Sequence, residues 1–532
     1  MNVAIERGRA GPALRVAEPG RNCWRVARAG RAAVLIDGAA YFDALAASIA
    51  RARDAVFVVG WDIHSRVVLG PADGGSPALA ELLDAAAERS ARLRIHVLDW
   101  DYSMLLTGTR ELATWMRLDW GSHRRVRFRL DGRHPVGACH HQKLVVIDDA
   151  IAFVGGLDLT ANRWDTPEHR ADDPRRRNPA GLAYPPFHDV QLAVDGEAAA
   201  LLGELARERW RRAGFLPGRT RPARGDRAHD AWPPALRPDF RDVPVAIART
   251  EPAYAGRAER REIERLYADS IAAARRWIYV ENQYLTSRAI GDALCASLAE
   301  QDGPEILVVA PRACSDWLEE RTMGHLRRRL VRKLRAADHA GRFRLVYPRL
   351  PGDPVRINVH AKLLIADDAI LRVGSANLSN RSMGLDTECD LQIEAPGASR
   401  ILARLLGEHL GCDPDRVSAA LDETGSLFAA VDRLGTGERR LEPLAVGADE
   451  PADAVLAEQL VLDPEQPIEA FALVEQWTPD LLRDPLRRRL ALLPVGALLW
   501  AFHRLVPARA KVAALAGIAT GFAAVRAWPT KH

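Results

Sequence analysis

Short apolar runs and longer amphipathic segments alternate along most of the chain. The apolar runs are rich in Val, Ile and Leu, as in RDAVFVVGWDIHS (53–65) and PEILVVAPRACSD (304–316). Between such runs lie stretches in which apolar residues recur with helical spacing, for example 42–53 and 262–276. Continuous apolar strands separated by helices predict an α/β fold with a mixed sheet that is mostly buried.

The same order of segments occurs twice. Each copy contains two apolar runs joined by Asp-Asp, which predicts two strands and a tight turn: HQKLVVIDDAIAFVGGLDL (141–159) and HAKLLIADDAILRVGSANL (360–378). Placing His141 on His360 gives an offset of 219 residues, and the flanking segments stay in step within a few residues. The duplication predicts two homologous lobes that face each other, each a mixed sheet flanked by helices, with the active site at their interface.

The repeat and the polar stretches around it predict the domain boundaries. These are an N-terminal tail (1–20), a first lobe (21–222), a linker (223–244), a second lobe (245–430), a C-terminal extension (431–489) and an apolar tail (490–532). The linker is rich in Pro, Arg and Asp and lacks periodicity.

A second polar stretch, 165–186, lies inside the first lobe just after its predicted hairpin. A loop of this length beside a site is typical of a lid or a substrate-contact loop. A flexible insertion is the alternative.

The apolar tail (490–532) contains two apolar runs separated by basic residues and a proline. Each run is shorter than the roughly 20 residues that a membrane-spanning helix needs. The pattern fits two interpretations equally: a hairpin that lies on or re-enters a membrane, or a buried pair of terminal helices.

Charge and cysteine usage narrow the function classes. The 532 residues include 74 Lys+Arg and 70 Asp+Glu, a net charge of +4, which does not indicate a dedicated nucleic-acid binder. The first residues lack the apolar region of a secretory signal, and the six cysteines form no CxxC pair. We therefore expect reduced thiols, a cytoplasmic protein, no metal or other cofactor, and no specific nucleic-acid partner.

Both predicted hairpins begin with His-x-Lys, and residues two apart in a strand point to the same face. A neutral imidazole can act as a nucleophile or carry a proton, and a lysine beside it offers positive charge to phosphate oxygens. Together the two copies would place His141, Lys143, His360 and Lys362 around one anion, an arrangement suited to phosphoryl transfer. Lone histidines such as His188 are more often core or surface residues, although His188 precedes Asp189 and could instead support the site from behind its catalytic groups.

The duplicated motif resembles the HKD signature of the phospholipase D superfamily. Flanking pieces resemble its eukaryote-like branch: GWDIHS (60–65), LDWDYS (98–103), RWD (163–165), FHDV (187–190) and IYVENQYLTS (278–287). The likeness covers about residues 22–410, and two complete motifs in order make it specific.

The resemblance implies a two-step mechanism without a metal. His141 would be the nucleophile, and His360 would protonate the leaving alcohol and then activate water. The side chains implied to hold the phosphate oxygens are Lys143, Lys362, Asn377 and Ser375. An acidic residue downstream of each motif would orient its histidine, and Asp189 and Glu388 occupy those places.

Three further acidic residues of the motifs are expected to have structural roles. Asp148 and Asp367 begin the hairpin turns. Asp158 stands where the second copy has Asn377, and a carboxylate there would repel a phosphate at close range. Since the eukaryote-like branch also has Asp at this place, we expect Asp158 to form hydrogen bonds within the protein.

The resemblance further implies hydrolysis of glycerophospholipids to phosphatidic acid and a free headgroup through a phosphohistidine. An alcohol replacing water would give transphosphatidylation. The implied partners are the phospholipid substrate and a membrane surface, on which the protein would be peripheral. The alternatives are a cardiolipin synthase-like phosphatidyltransferase, a nuclease of the superfamily, or an inactive membrane-binding scaffold.

Overall fold

The computed structural model describes residues 16–101, 121–213, 230–313, 317–352, 356–445, 447 and 463–467. The first half contains, in chain order, β1 (Arg25–Ile36), α1 (Asp37–Ile49), β2 (Ala55–Val59), α2 (Leu79–Arg89), β3 (Arg94–Trp100), β4 (Val126–Asp131), β5 (Leu144–Ile147), β6 (Ile151–Gly155), β7 (Phe187–His188), β8 (Val190–Asp195) and α3 (Gly196–Ala213).

The second half follows a similar order with additions, except that its two-residue strand comes before the hairpin and not after it. It contains β9 (Phe240–Glu251), β10 (Arg260–Arg261), α4 (Glu262–Ala273), β11 (Trp277–Asn282), α5 (Arg288–Ala299), β12 (Glu305–Val309), α6 (Trp317–Ala337), β13 (Phe343–Arg349), β14 (Asn358–Val359), β15 (Lys362–Ala366), β16 (Ile370–Gly374), α7 (Asn380–Gly384), β17 (Glu388–Glu394), α8 (Ala398–Leu410), α9 (Pro414–Thr424), α10 (Leu427–Leu434) and β18 (Arg440–Pro443).

The strands form one large mixed sheet. Its order is β4-β3-β2-β5-β6-β8-β1-β9-β17-β16-β15-β11-β12-β13-β18, with β10 paired to β9. Read outward from the antiparallel β1–β9 pair, the two halves have the same order, and only β18 extends the second. The α/β fold with two homologous lobes is therefore confirmed, and the two half-sheets are joined edge to edge.

Helices cover both faces of this sheet. On one face, α3 and α8 pack against strands of both halves in one shared apolar cluster, which includes Leu202 and Leu405. On the other face the clusters are separate: α1 and α2 cover the first half, and α4 and α5 cover the second. The strands between these layers are buried on both sides, as β2 is along its whole length, which is why they read as continuous apolar runs.

Several elements lie in ranges that the sequence assigned to connections. Strand β9 begins at Phe240, inside the predicted linker (223–244), and β18 joins the sheet from within the predicted C-terminal extension. Farther along, the buried Asp463 accepts a hydrogen bond from Thr286 Oγ1 at 2.7 Å.

The polar stretch 165–186 is packed against the protein. His169 and Arg176 are both buried, and Arg176 donates to Asp165 and to the carbonyl oxygens of Arg170 and Ala171. These contacts do not fit a flexible insertion.

In the described part of the chain, no helix is long and apolar enough to cross a membrane. The apolar tail (490–532) and residues 1–15 of the N-terminal tail lie outside the described residues. The two interpretations of the apolar tail therefore remain predictions.

Candidate active site

Backbone hydrogen bonds between the lobes hold both motif histidines. The N–H of His141 donates to the carbonyl of Thr387 at 3.0 Å, and the N–H of Thr387 donates to Cys139. In the same way, His360 donates to the carbonyl of His188 at 2.8 Å, next to the short parallel pair β7–β14. Each histidine therefore lies where a segment of one lobe runs beside the other.

The two acidic partners cross the interface. Glu388 lies 3.0 Å from Nδ1 of His141, and Asp189 lies 2.6 Å from Nδ1 of His360. The sequence instead suggested that each acid serves the histidine of its own motif. Since Nδ1 faces a carboxylate in both cases, it carries the proton, and Nε2 is left with a lone pair.

The lysines lie beside their own histidines. Lys143 Nζ donates to the carbonyl of His141 at 3.0 Å and forms an ion pair with Asp158 at 3.1 Å. Asp158 also accepts the N–H of Trp61 at 2.8 Å. The negative charge of Asp158 is therefore neutralised by groups of the protein, which reduces its repulsion toward an anion.

Lys362 contacts His360 at two atoms. Its Nζ lies 3.1 Å from Nδ1 of the imidazole and also donates to the backbone carbonyl. Both lysines are buried, so their charges act in a site where water screens them little.

Two serine hydroxyls support Glu388. Ser375 Oγ donates to one carboxylate oxygen at 2.5 Å, and Ser382 Oγ donates to the other at 2.7 Å. Ser375 is thus placed as a support of the His141–Glu388 pair, which differs from the predicted contact with phosphate. Ser382 was not predicted, because it lies after the second motif, where the two copies of the repeat no longer correspond. Its local signal in the sequence is the pair Ser379-x-x-Ser382 at the start of α7.

Asn377 has a buried side-chain oxygen with no hydrogen-bond partner among the described residues. An unpartnered buried amide costs free energy unless a ligand satisfies it. This oxygen is an acceptor and would take a hydrogen bond from a donor such as water or a hydroxyl, so the contact predicted between the amide N–H of Asn377 and a phosphate oxygen stays a prediction.

The two turn aspartates bind backbone. Asp148 accepts the N–H groups of Arg53, Asp54 and Ala55, each at 2.7 Å. Asp367 accepts the equivalent three, those of 275–277, at 2.8 to 3.0 Å. Both aspartates have a left-handed backbone conformation, with φ of 55° and 52°, which Asp tolerates better than most residues.

Burial keeps both motif histidines neutral. It lowers the pKa of His141 and of His360 well below the usual value, and the neighbouring lysine charges add to this shift. Burial also lowers the pKa of Lys362 to about 7.

The carboxylates shift in the other direction where they pair with histidine. Burial raises the pKa of Asp189 to about 7 and that of Glu388 to about 8. For Asp158, burial acts upward, but the charge of Lys143, the other nearby charges and the hydrogen bond from Trp61 together outweigh it, so the pKa is lowered. A phosphate anion that enters this site would favour the charged forms of the lysines and imidazoles.

Aromatic rings flank both histidines. The Trp61 ring meets His141 edge-on with 6.2 Å between centroids, and it stacks on Trp100 at 5.8 Å. Phe187 lies 5.3 Å from His360 and carries the guanidinium of Arg163 over its ring. The family resemblance made Trp61 and Trp100 plausible pocket residues, whereas Arg163 lies in a segment that carried the resemblance but was not predicted as a site residue.

A second group of titratable side chains lies outside the motifs. One ligand atom each from Asp37, His169, His188 and Glu408 lies within 4.8 Å of the others, and His188, Glu281 and His409 form a similar set. Such a set could hold a metal ion. However, both ring nitrogens of His188 lie 2.7 to 2.9 Å from carboxylate oxygens, so hydrogen bonds already account for them.

Comparisons with known proteins agree with this geometry. Residues 132–223 match the family model described as phospholipase D, and residues 267–409 match the one described as cardiolipin synthase, PLD-like domain. Phospholipase D alpha 1 of Carica papaya is 24% identical over 479 residues, covering 63% of this chain and 58% of that protein.

Phospholipase D1 of Saccharomyces cerevisiae is 23% identical, covering 72% of this chain and 29% of its own length. The chain therefore spans less than two thirds of the length of these curated relatives. Among solved structures, phosphatidylserine synthase of Haemophilus influenzae matches 84% of this chain and 93% of its own, at 14% identity and a TM-score of 0.48.

Proposed function

The chain belongs to the phospholipase D superfamily, in its eukaryote-like branch, and we propose that it hydrolyses glycerophospholipids to phosphatidic acid and a free headgroup. The observation that carries the proposal is the pair of crossed contacts His141–Glu388 and His360–Asp189, each beside a buried lysine. Phospholipase D relatives support a phospholipid as the substrate.

In the first step, Nε2 of His141 attacks the phosphorus atom. A nitrogen–phosphorus bond forms while the bond from phosphorus to the headgroup oxygen breaks, and the imidazolium of His360 gives its proton to that oxygen. Glu388 stabilises the positive charge that develops on His141, since it accepts the Nδ1 proton.

In the second step, water attacks the phosphohistidine. His360, now neutral, takes a proton from the water, the nitrogen–phosphorus bond breaks, and phosphatidic acid leaves. Lys143 and Lys362 lie beside their histidines and would contact the phosphate oxygens in both transition states, with the amide N–H of Asn377 as a further donor. None of these steps requires a metal ion.

Transfer to an alcohol is the second candidate function. The match of residues 267–409 to a model named for cardiolipin synthase favours it. An alcohol would occupy the place of water in the second step, with the same residues acting. A nuclease and an inactive membrane-binding scaffold are the remaining alternatives, and intact His, Lys and acid sets in both lobes favour an active enzyme over the scaffold.

Product analysis on mixed phospholipid vesicles tests the proposal. The protein should release phosphatidic acid and a free headgroup, and a primary alcohol should divert part of the product to a phosphatidylalcohol. Formation of cardiolipin alone would favour the transferase instead. The scaffold would be favoured if no product formed and if the protein and its His141→Ala variant bound the same vesicles equally well.

A further inference from the structure

A cluster of buried charged side chains lies next to the segment whose backbone holds His360, since the carbonyl of its member His188 accepts the N–H of His360. We call it the rear cluster, and its members are Asp37, His169, His188, Glu281, Glu408 and His409. The first three come from the first lobe and the others from the second. All six side chains are fully or almost fully buried, so their charges must be balanced by one another.

His188 is the centre of this cluster. Its Nδ1 lies 2.9 Å from Asp37 and 2.8 Å from Glu408, and its Nε2 lies 2.7 Å from Glu281. Because both nitrogens face carboxylate oxygens, the ring is an imidazolium that donates on both sides. Although burial acts the other way, these three carboxylates raise the pKa of His188 well above its usual value.

A second layer of contacts closes the cluster. His169 bonds to Asp165 and Glu408 at 2.8 and 3.0 Å, and His409 bonds to Glu281 at 2.8 Å. The hydroxyl of Tyr279 also donates to Glu281. Among the described residues, Arg176 donates to Asp165, and Arg439 lies close enough for the cluster carboxylates to raise its pKa, although burial lowers that pKa by more.

The cluster is connected to the site through the backbone. His188 immediately precedes Asp189, and its carbonyl accepts the N–H of His360 at 2.8 Å. The carbonyl of Asp189 in turn accepts the N–H of Asp37 at 2.8 Å. The side chains of His188 and Asp189 point to opposite sides of an extended segment, so holding one fixes the direction of the other.

The equivalent position in the second lobe is different. Thr387 precedes Glu388, and its hydroxyl lies 2.9 Å from Nδ1 of His140. Glu388 is oriented by the hydroxyls of Ser375 and Ser382. Asp189, by contrast, accepts the backbone N–H of Val190 besides contacting His360. The orientation of Asp189 therefore depends on the position of its own backbone segment more than the orientation of Glu388 does.

We propose that His188, held by the rear cluster, is a positioning residue for Asp189 and through it for proton transfer by His360. This inference rests on the proposed function. In that mechanism His360 protonates the leaving group and then deprotonates water, whereas His141 makes the covalent bond. A change at His188 should therefore slow the steps that need His360 and spare the attack by His141.

The test uses a soluble phosphodiester with a p-nitrophenol leaving group, which departs without a proton. We expect His188→Gln to show a rapid burst of about one p-nitrophenol per site, close to the wild-type rate. Its steady-state rate should fall by roughly 10- to 100-fold, the usual cost of losing a group that orients a functional residue. The matched control is Thr387→Val, which should not raise the ratio of burst rate to steady-state rate.

Glu281→Gln provides a second variant that keeps the shape of the cluster. It removes one of the charges that hold His188 and should change the same ratio in the same direction, by less. If His188→Gln does not fold, as judged by circular dichroism, this variant alone decides the outcome: an unchanged ratio would overturn the inference.

Three other results are distinguishable. Equal slowing of burst and steady state in His188→Gln would show a general structural role and overturn the inference. Wild-type kinetics in that variant would overturn it as well. If His360→Ala itself accumulates no covalent intermediate, the proposed function fails, and the inference fails with it.

Discussion

At the scale of single residues, the chemistry depends on which imidazole nitrogen is free. Glu388 and Asp189 occupy Nδ1 of the two motif histidines, and the low pKa of both rings keeps His141 neutral as a nucleophile. The low pKa also makes His360 a strong acid once a bound phosphate anion favours its protonation. In the proposed mechanism, a single site therefore uses a nucleophile and a proton donor of the same residue type.

The pH dependence of kcat/KM follows from these shifts. With a p-nitrophenol substrate, which needs no acid, the active form has His141 neutral, Glu388 ionised to accept the Nδ1 proton, and Lys362 charged. Activity should therefore be greatest between about pH 7 and about pH 8, where Lys362 and Glu388 titrate. Lys362→Arg keeps a positive charge at all accessible pH, so its alkaline limb should move up by more than a unit. Identical alkaline limbs in the two proteins would contradict this role of Lys362.

The His-x-Lys pairs could be predicted because they are local and occur twice. The crossed pairing of acids with histidines could not, since a repeat shows which residues correspond and not which copies meet. The rear cluster was missed for a related reason: its members are dispersed from Asp37 to His409 and share no spacing. His188 read alone is an ordinary core histidine.

At the scale of elements, the two hairpins carry the site, and their turns are built alike. Asp148 and Asp367 each adopt a left-handed conformation and each accept three backbone N–H groups from the segment that leads into a neighbouring strand. The Asp-Asp pattern predicted these turns correctly. Strands β7 and β14 were not expected, because two residues are too few to show a pattern.

Removing these carboxylates should cost stability and not chemistry. The bonds of Asp148 are more deeply buried than those of Asp367, whose first two donors are exposed. Asp148→Ala should lower the free energy of unfolding by about 3 kcal/mol, because one buried and two partly buried N–H groups lose their acceptor, and Asp367→Ala by about half of that. Urea denaturation measures both, with kcat per folded molecule as the control. A larger loss in Asp367→Ala would contradict this account of the turns.

At the scale of the whole molecule, the two lobes are one body, because β1 and β9 pair along most of their length. Duplication predicted the lobes but not this junction. Both strands have 12 residues. Strand β1 carries arginines at positions 25, 28 and 31, and β9 has polar residues in its first half, so neither sequence has the continuous apolar pattern of a buried strand. The shared apolar cluster under α3 and α8 fixes the lobes together and hence the distance across the site.

If the apolar tail (490–532) forms the membrane hairpin, which is one of its two interpretations, it would bring this body to a membrane. A protein ending at about residue 485 should still cleave a soluble short-chain phospholipid but sediment less with anionic vesicles, since the basic residues between the apolar runs would be gone. If the tail instead completes the core, the shortened protein should lose several kcal/mol of stability. Equal vesicle binding by a well-folded shortened protein would contradict the membrane interpretation.

Metal independence is a further prediction for the whole molecule. In the proposed mechanism, Lys143 and Lys362 supply the positive charge that a metal ion would otherwise bring to the phosphate. Cleavage of the soluble substrate should therefore survive exhaustive chelation, with vesicle assays avoided because divalent ions alter lipid surfaces. Loss of activity that only a divalent metal restores would contradict the mechanism and direct attention to the His and carboxylate atoms of the rear cluster.

The central claim is that His141 carries the phosphorus in a covalent intermediate. Its most direct test is to mix His360→Ala with the p-nitrophenol substrate, quench in alkali to preserve phosphohistidine, and locate the adduct by mass spectrometry. We predict one adduct per site on His141, absent from a His141→Ala/His360→Ala double variant. An adduct on another residue, or wild-type turnover in His141→Ala, would contradict the account.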